Sequence, residues 1–218
     1  GWAPDGERLA VTRVGDVHWL RWREGGEPQR VASRPLGQYH PSWSPDDLIL
    51  VDEFSPETGR DILTLDLEDG TQTPFLATPA NEGMASFSPD GRWVAYASDV
   101  SGIEEVYLRP FPGPGRRHMV SVGGGTDPRW SSDGTELFYR SGTRIWAVDL
   151  RTSPTVAVGS PHMLFVAGQY DFSQTLNWDV GPDGRFVMVK GDPTALRQFQ
   201  VVLNWFQELA AEGTGGAP

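Results

Sequence analysis

Phe87-Ser88-Pro89-Asp90-Gly91-Arg92-Trp93-Val94-Ala95-Tyr96-Ala97-Ser98 carries the pattern that decides the fold. An apolar residue is followed by a small residue, Pro, Asp and Gly, and then by an apolar run. Pro presets φ at the first corner of a β-turn, Asp bonds nearby backbone, and Gly takes the left-handed position. Trp93 to Tyr96 is apolar at consecutive positions, the pattern of a strand covered on both faces.

Outward from this stretch the pattern recurs as Trp2-Ala3-Pro4-Asp5-Gly6, Trp43-Ser44-Pro45-Asp46-Asp47, Trp130-Ser131-Ser132-Asp133-Gly134 and Val180-Gly181-Pro182-Asp183-Gly184. The Asp-to-Asp spacings are 41, 44, 43 and 50. A period of roughly forty residues is that of a propeller with one four-stranded blade per repeat. Asp47 stands in for Gly in the second copy, and Asp tolerates positive φ better than most residues. Asp5, Asp46, Asp90, Asp133 and Asp183 are therefore read as structural turn residues and not as metal ligands. The residue heading each copy is expected to be buried between blades.

Each turn leads into a second strand: Leu9 to Val11, Leu48 to Val51, Trp93 to Tyr96, Leu137 to Tyr139 and Phe186 to Val189. Third strands are expected at Val17 to Trp22, Ile62 to Leu67, Val106 to Phe111, Ile145 to Leu150 and Phe199 to Leu203. Fourth strands are expected at Gln29 to Ala32, Thr73 to Leu76, Arg117 to Val122 and His162 to Val166. The fifth unit instead runs into Asn204 to Ala211, a short helix with a capping-box pattern from Asn204 to Gln207. The expectation is an all-β propeller of four-stranded antiparallel blades with a short C-terminal helix. Its five repeat units lie at about 1–41, 42–85, 86–128, 129–176 and 177–212, before a polar, disordered tail at 213–218. The chain opens inside a repeat, which reads as a piece of a longer propeller.

Composition narrows the function classes. The formal net charge is −11, from 29 acidic and 18 basic residues, which opposes binding to phosphate backbones or an anionic membrane surface. With no Cys, disulfides, thiolate nucleophiles and Cys-ligated zinc are excluded. No stretch approaches the roughly 18 apolar residues of a membrane span. Nine Trp and ten Phe supply burial area for a core of this size.

The stretch from Phe87 to Ser98 resembles the repeat of TolB-type, WD-like β-propellers, and the likeness extends through all five units. Asp179 to Val189, followed by Val201-Val202-Leu203-Asn204-Trp205-Phe206-Gln207-Glu208-Leu209, resembles the C-terminus of bacterial eukaryotic-like Ser/Thr protein kinases. In those proteins a propeller follows a cytoplasmic kinase domain and usually a transmembrane helix. This resemblance implies a sensor propeller on the extracytoplasmic, periplasmic side of a bacterial membrane. Gly181 stands where Ser is usual, and Gln207 where Glu is usual.

No catalytic signature is present. There is no phosphate loop, no kinase motif and no G-x-S-x-G elbow. His18, His40, His118 and His162 have no metal-ligand spacing. Asp52-Glu53 and Glu104-Glu105 are read as solvated loop charge, since neighbours on a strand face opposite ways. Asp99 to Gly102 lacks the alternating ligands of a calcium loop. The expectation is a non-catalytic domain with no metal and no cofactor.

Blade topology places the Asp turns on one face. The loops joining blades, and those joining second to third strands, fall on the other. The latter loops are longer and more varied, and binding resides on such loops. The expected partner, a protein or a small molecule, therefore engages the inter-blade-loop face around the channel mouth. The candidate contacts are Tyr39, His40, Glu82, Met84, Asp127, Tyr170 and Gln174. The alternative is a propeller enzyme, a hydrolase or lyase using His40, Glu82, Asp127 and Asp171 there. A stand-alone TolB-like periplasmic interaction protein is a further alternative.

Overall fold

The computed structural model describes residues 1–13, 15–21, 23, 27–32, 36–168, 170 and 177–190. These form antiparallel sheets with no helix among them. The expected third strand at Phe199 to Leu203, the Asn204 to Ala211 helix and the 213–218 tail lie outside the described residues, as do Asp171 and Gln174.

The first blade contains β1 (Arg8–Arg13), β2 (Asp16–Arg21) and β3 (Gln29–Ala32), with a bridge from Trp2 to Leu9 on its inner side. The second is the ordered sheet β4 (Gln38–Trp43), β5 (Leu48–Ser55), β6 (Gly59–Asp66) and β7 (Gln72–Leu76). The third is β8 (Glu82–Phe87), β9 (Trp93–Ser98), β10 (Glu105–Pro110) and β11 (His118–Met119). The fourth is β12 (Thr126–Trp130), β13 (Glu136–Ser141) and β14 (Arg144–Arg151). Its outer edge is shared by the short β15 (Ala157–Val158) and by β16 (His162–Val166), both paired with β14. The fifth is described at β17 (Trp178–Val180) and β18 (Phe186–Met188). Inner strand touches inner strand from β4 to β8 to β12 to β17.

The unbroken apolar runs follow from this stacking. On β5, Ile49 and Val51 enter the core against the first blade, with Trp43, Ala10 and Val17. Leu50 points the other way, into the core against the third blade with Phe87, Val94 and Tyr107. On β9, Ala95 faces the fourth blade beside Leu137, Tyr139 and Val148. A further core joins the fourth and fifth blades through Phe138, Phe165, Trp178 and Phe186. The middle strands β5, β9 and β13 thus bury both of their faces.

The Asp turns explain the repeated motif. Gly6, Gly91, Gly134 and Gly184 have φ between 66 and 76°, and Asp47 takes the same region at 62°. Where the motif carries Ser, its hydroxyl staples the turn. Ser44 Oγ accepts from Leu48 N at 2.9 Å, Ser88 Oγ from Trp93 N at 3.0 Å, and Ser131 Oγ from Glu136 N at 2.9 Å. Adjacent turns also touch. A Cβ on Gly91 would sit 3.0 Å from Pro45 Cδ, and one on Gly134 would sit 3.5 Å from Pro89 Cδ.

The motif-heading residues are not uniformly buried, which corrects the sequence expectation. Trp43 and Phe87 are buried, Trp130 and Val180 are half-buried, and Trp2 is 51 % exposed. The head reaches back to the preceding blade: Trp43 Nε1 donates to Gly1 O at 2.9 Å and Trp130 Nε1 to Ser86 O at 3.2 Å.

Candidate functional site

The inner strands β4, β8 and β12 share one irregularity. Their register with the second strand shifts between Tyr39 and Ser42, between Gly83 and Ser86, and between Thr126 and Arg129. Inside each shift a residue with a Cβ takes left-handed φ: His40 at 54°, Met84 at 53° and Asp127 at 59°. Each such residue costs about 1–2 kcal/mol, so the surroundings must hold the bulge. A bulge bends its strand and re-aims its side chains.

Hydrogen bonds between neighbouring strands and blades supply the hold. His40 Nδ1 lies 2.5 Å from Asp52 Oδ2, and Met84 N in the next blade donates to the same oxygen at 2.9 Å. One fully buried carboxylate therefore links two successive bulges. In the fourth blade the bulge residue Asp127 itself reaches the next blade. Its Oδ2 accepts from Trp178 Nε1 at 2.7 Å, and its Oδ1 lies 2.8 Å from Arg129 Nη2.

Around the bulges lies further buried charge. Glu82 accepts from Thr78 Oγ1 at 2.8 Å and from Thr78 N at 3.2 Å. Burial outweighs these bonds and pushes its carboxyl above the usual range, with Asp61 adding repulsion. Gln38 Nε2 donates to Glu53 Oε2 at 3.2 Å. Glu105 accepts from Ser121 Oγ, and also from Gly123 N at 2.8 Å and Gly124 N at 3.0 Å, which pins the loop into β12.

The sequence reading of Asp52-Glu53 and Glu104-Glu105 as solvated loop charge is corrected here. Asp52, Glu53 and Glu105 are buried in strands, and only Glu104 is exposed, paired with Arg60 Nη2 at 3.0 Å. β5 and β10 continue to the loop face, so these residues remain in paired strand. Asp99 is committed to Asn81, accepting from its N at 2.8 Å and its Nδ2 at 2.7 Å.

The structure brings Tyr39, His40, Glu82, Met84 and Asp127 to the loop-face ends of the inner strands. Tyr39 is exposed and His40 half-buried, whereas Glu82, Met84 and Asp127 are buried behind the surface. Tyr170 is also buried, in the core of the fourth and fifth blades, and bridges to Lys190. The expected Asp turns lie at the opposite ends of the blades.

The same loop face carries a set of exposed apolar side chains that pattern reading did not single out. Phe54 is 54 % exposed, Ile103 53 % and Val122 77 %, and Val100 in the loop between β9 and β10 is exposed as well. Phe54 meets Tyr39 edge to face, with ring centroids 5.9 Å apart. The sequence signal was an apolar residue inside a polar connection.

The family model of the TolB beta propeller domain matches residues 1–188. The chain belongs to this family. An uncharacterized peptidase of Bacillus subtilis is 25 % identical to this TolB propeller over 48 % of this chain and 22 % of its own length. An uncharacterized protein of Agrobacterium fabrum is 26 % identical over 49 % of this chain and 38 % of its own. The chain thus spans well under half of these relatives.

Among solved structures, TolB from Acinetobacter baumannii superposes with a TM-score of 0.69 at 18 % identity, covering 88 % of this chain and 48 % of that one. A putative TolB from Agrobacterium tumefaciens gives 0.65 at 20 % identity, covering 85 % and 70 %. An oligogalacturonate lyase in complex with manganese gives 0.60 at 16 % identity, covering 88 % and 57 %. At these identities the likeness is one of fold.

Proposed function

We propose that this TolB-type propeller is a non-catalytic binding domain whose partner, a protein or a small-molecule ligand, engages the inter-blade-loop face. The observation that carries the reading is the exposed apolar group of Tyr39, Phe54, Val100, Ile103 and Val122 at that end of the blades. Exposed aromatics and aliphatics gathered on the loops at one end of a rigid scaffold are typical of interaction surfaces. His40 is the candidate polar contact among them, while Glu82, Met84, Asp127 and Tyr170 set the backbone and packing beneath. Exposed Glu57, unlike Glu104, which Arg60 already pairs, favours a neutral or basic partner and binding that weakens with salt.

The resemblance of the last unit to kinase-linked propellers supports a setting for this domain, as the extracytoplasmic sensor region of a receptor-like bacterial Ser/Thr kinase. A kinase domain in the same gene product is the expected finding, and a signal peptide with the propeller alone would replace that setting by a stand-alone one. Among the described residues, no helix is long and apolar enough to cross a membrane.

Replacing Phe54, Ile103 and Val122 together by Ser tests the binding surface. Affinity for the natural partner should fall at least about tenfold with the melting temperature unchanged. Unaltered affinity would remove this face from the interface.

One observation favours the enzyme alternative. Half-buried His40, held at Nδ1 by buried Asp52, is the arrangement of an oriented general base. A lyase among the structural neighbours and a peptidase among the relatives show that related propellers occur in proteins so named. Reproducible turnover by the purified chain, abolished by His40→Ala, would establish that reading over ours.

A further inference from the structure

The Asp-turn face holds two clefts of the same design, one filled and one open. Between the first and second blades, the Arg8 guanidinium lies 4.9 Å from the Trp43 ring centroid. Arg8 Nε is 2.6 Å from Asp5 Oδ2, and its Nη2 is 2.6 Å from Asp47 Oδ1. Each blade's turn supplies a carboxylate, and the indole heading the second motif supplies a π face.

Between the third and fourth blades comparable groups meet: Asp90 from one turn, Asp133 from the next, and Trp130 heading the fourth motif. Here they line an open pocket of about 260 Å³, completed by Pro89, Gly134 and Thr152 among others. Two positions differ: Gly134 stands where Asp47 does, so the second carboxylate comes from Asp133 one position earlier, and the residue that fills the first cleft has no counterpart in the other. Arg8 immediately precedes Leu9, which pairs with the motif head Trp2; the corresponding residue before Val94, paired with Phe87, is Trp93. Trp93 turns instead to His118, with ring centroids 6.2 Å apart.

The carboxylates are left half-used by the turns. Asp90 Oδ1 accepts from Ser88 Oγ at 2.6 Å and Arg92 N at 3.1 Å. Asp133 Oδ1 accepts from Ser131 Oγ at 2.8 Å, Thr135 N at 3.0 Å and Thr135 Oγ1 at 2.8 Å. These bonds hold the Asp133 carboxyl below its usual range, hence anionic near neutral pH. Neither Asp90 nor Asp133 has an ion pair among the described residues. The turn carboxylates of the first and fifth units differ, because Arg8 and Arg185 take their Oδ2 atoms.

We propose that the cleft between the third and fourth blades binds a guanidinium or ammonium cation from outside the chain, as the cleft between the first and second blades binds Arg8. Its source is either an arginine or lysine side chain of a partner protein or a small free cation. The site lies on the face opposite the apolar loops and stands independently of the partner reading given for them.

Titration calorimetry with Nα-acetylarginine N-methylamide, its neutral citrulline counterpart and a short arginine-containing peptide tests this. The arginine amide should saturate one site, with the citrulline amide at least about tenfold weaker. Asp90→Asn should weaken the arginine amide about fivefold or more. Thr152→Phe, which fills the cleft without touching the turn bonds, should abolish binding while leaving the melting temperature in place. Arg8→Ala should open the first cleft and add a second site. A peptide binding tighter than the amide assigns the cation to a protein partner, and equal binding assigns it to a free small molecule. Equal binding of the arginine and citrulline amides, no binding of either, or arginine binding that survives Thr152→Phe would overturn the proposal.

Discussion

At the residue scale, the channel mouth is governed by a few backbone positions that only a specific neighbour stabilises. Met84 keeps its left-handed φ because its amide is bound by Asp52, and Gly83 lets that carboxylate approach. A Cβ at Gly83 would lie 2.6 Å from Asp52 Oδ2 and 2.6 Å from Arg60 Nε. Gly83→Ala should therefore destabilise the domain by about 1–3 kcal/mol, the scale of overpacking a buried site. Chemical denaturation reads this, and a midpoint shift worth under about 0.5 kcal/mol would show that the site relaxes freely. The sequence singled out His40, Met84 and Asp127 through their place before each inner strand. It could not show that two of them are buried, because a bulge inverts which side chains face the channel. Asp52 was hidden for a related reason: a charged residue ending an apolar run resembles the start of a loop.

The repeat was most legible at the element scale. Turn chemistry and unbroken apolar runs located the first and second strands, since both are local signals. In the first four units third and fourth strands were placed within a few residues, but the division of the fourth blade's edge between β15 and β16 depends on pairing that no local pattern states. Trp43, buried between blades and bonded to Gly1 O, should cost about 3–5 kcal/mol on replacement by Ala, as large core aromatics do. Thermal or denaturant unfolding measures it, and a loss under about 0.5 kcal/mol would show that the contact is dispensable.

The turns and loops also predict the acid limb of stability. Backbone amide bonds, with Arg8, hold Asp5 at about 2, and hydrogen bonds lower Asp69, Asp99, Asp133 and Asp183 from 3.8. A carboxylate lowered on folding stabilises above its unfolded pKa, so stability should drain away as pH falls from about 4 toward 2. Glu82 has the opposite sign. Raised on folding by burial, it binds its proton more tightly in the native state, so its contribution is lost as pH rises past 4.5. Glu82→Gln should erase that drift in a pH series of unfolding curves, and an identical pH slope in the two proteins would contradict the assignment.

The whole molecule is a row of stacked sheets in which every neighbouring pair of described blades shares a core. That rigidity frees the two rims for different work. Composition and period were enough for the fold because each blade repeats the same physical problem. The binding face was legible only as a set of variable loops; Phe54, Ile103 and Val122 become a surface once the second and third blades bring their ends together. The most direct measurement is a photo-crosslinking scan in cells producing the intact protein. A benzophenone side chain is placed in turn at Phe54, Ile103 and Val122 on the loop face, and at Arg92 and Thr135 on the Asp-turn face. The account predicts a discrete heavier adduct from the three loop-face positions; adducts confined to positions 92 and 135 would contradict it.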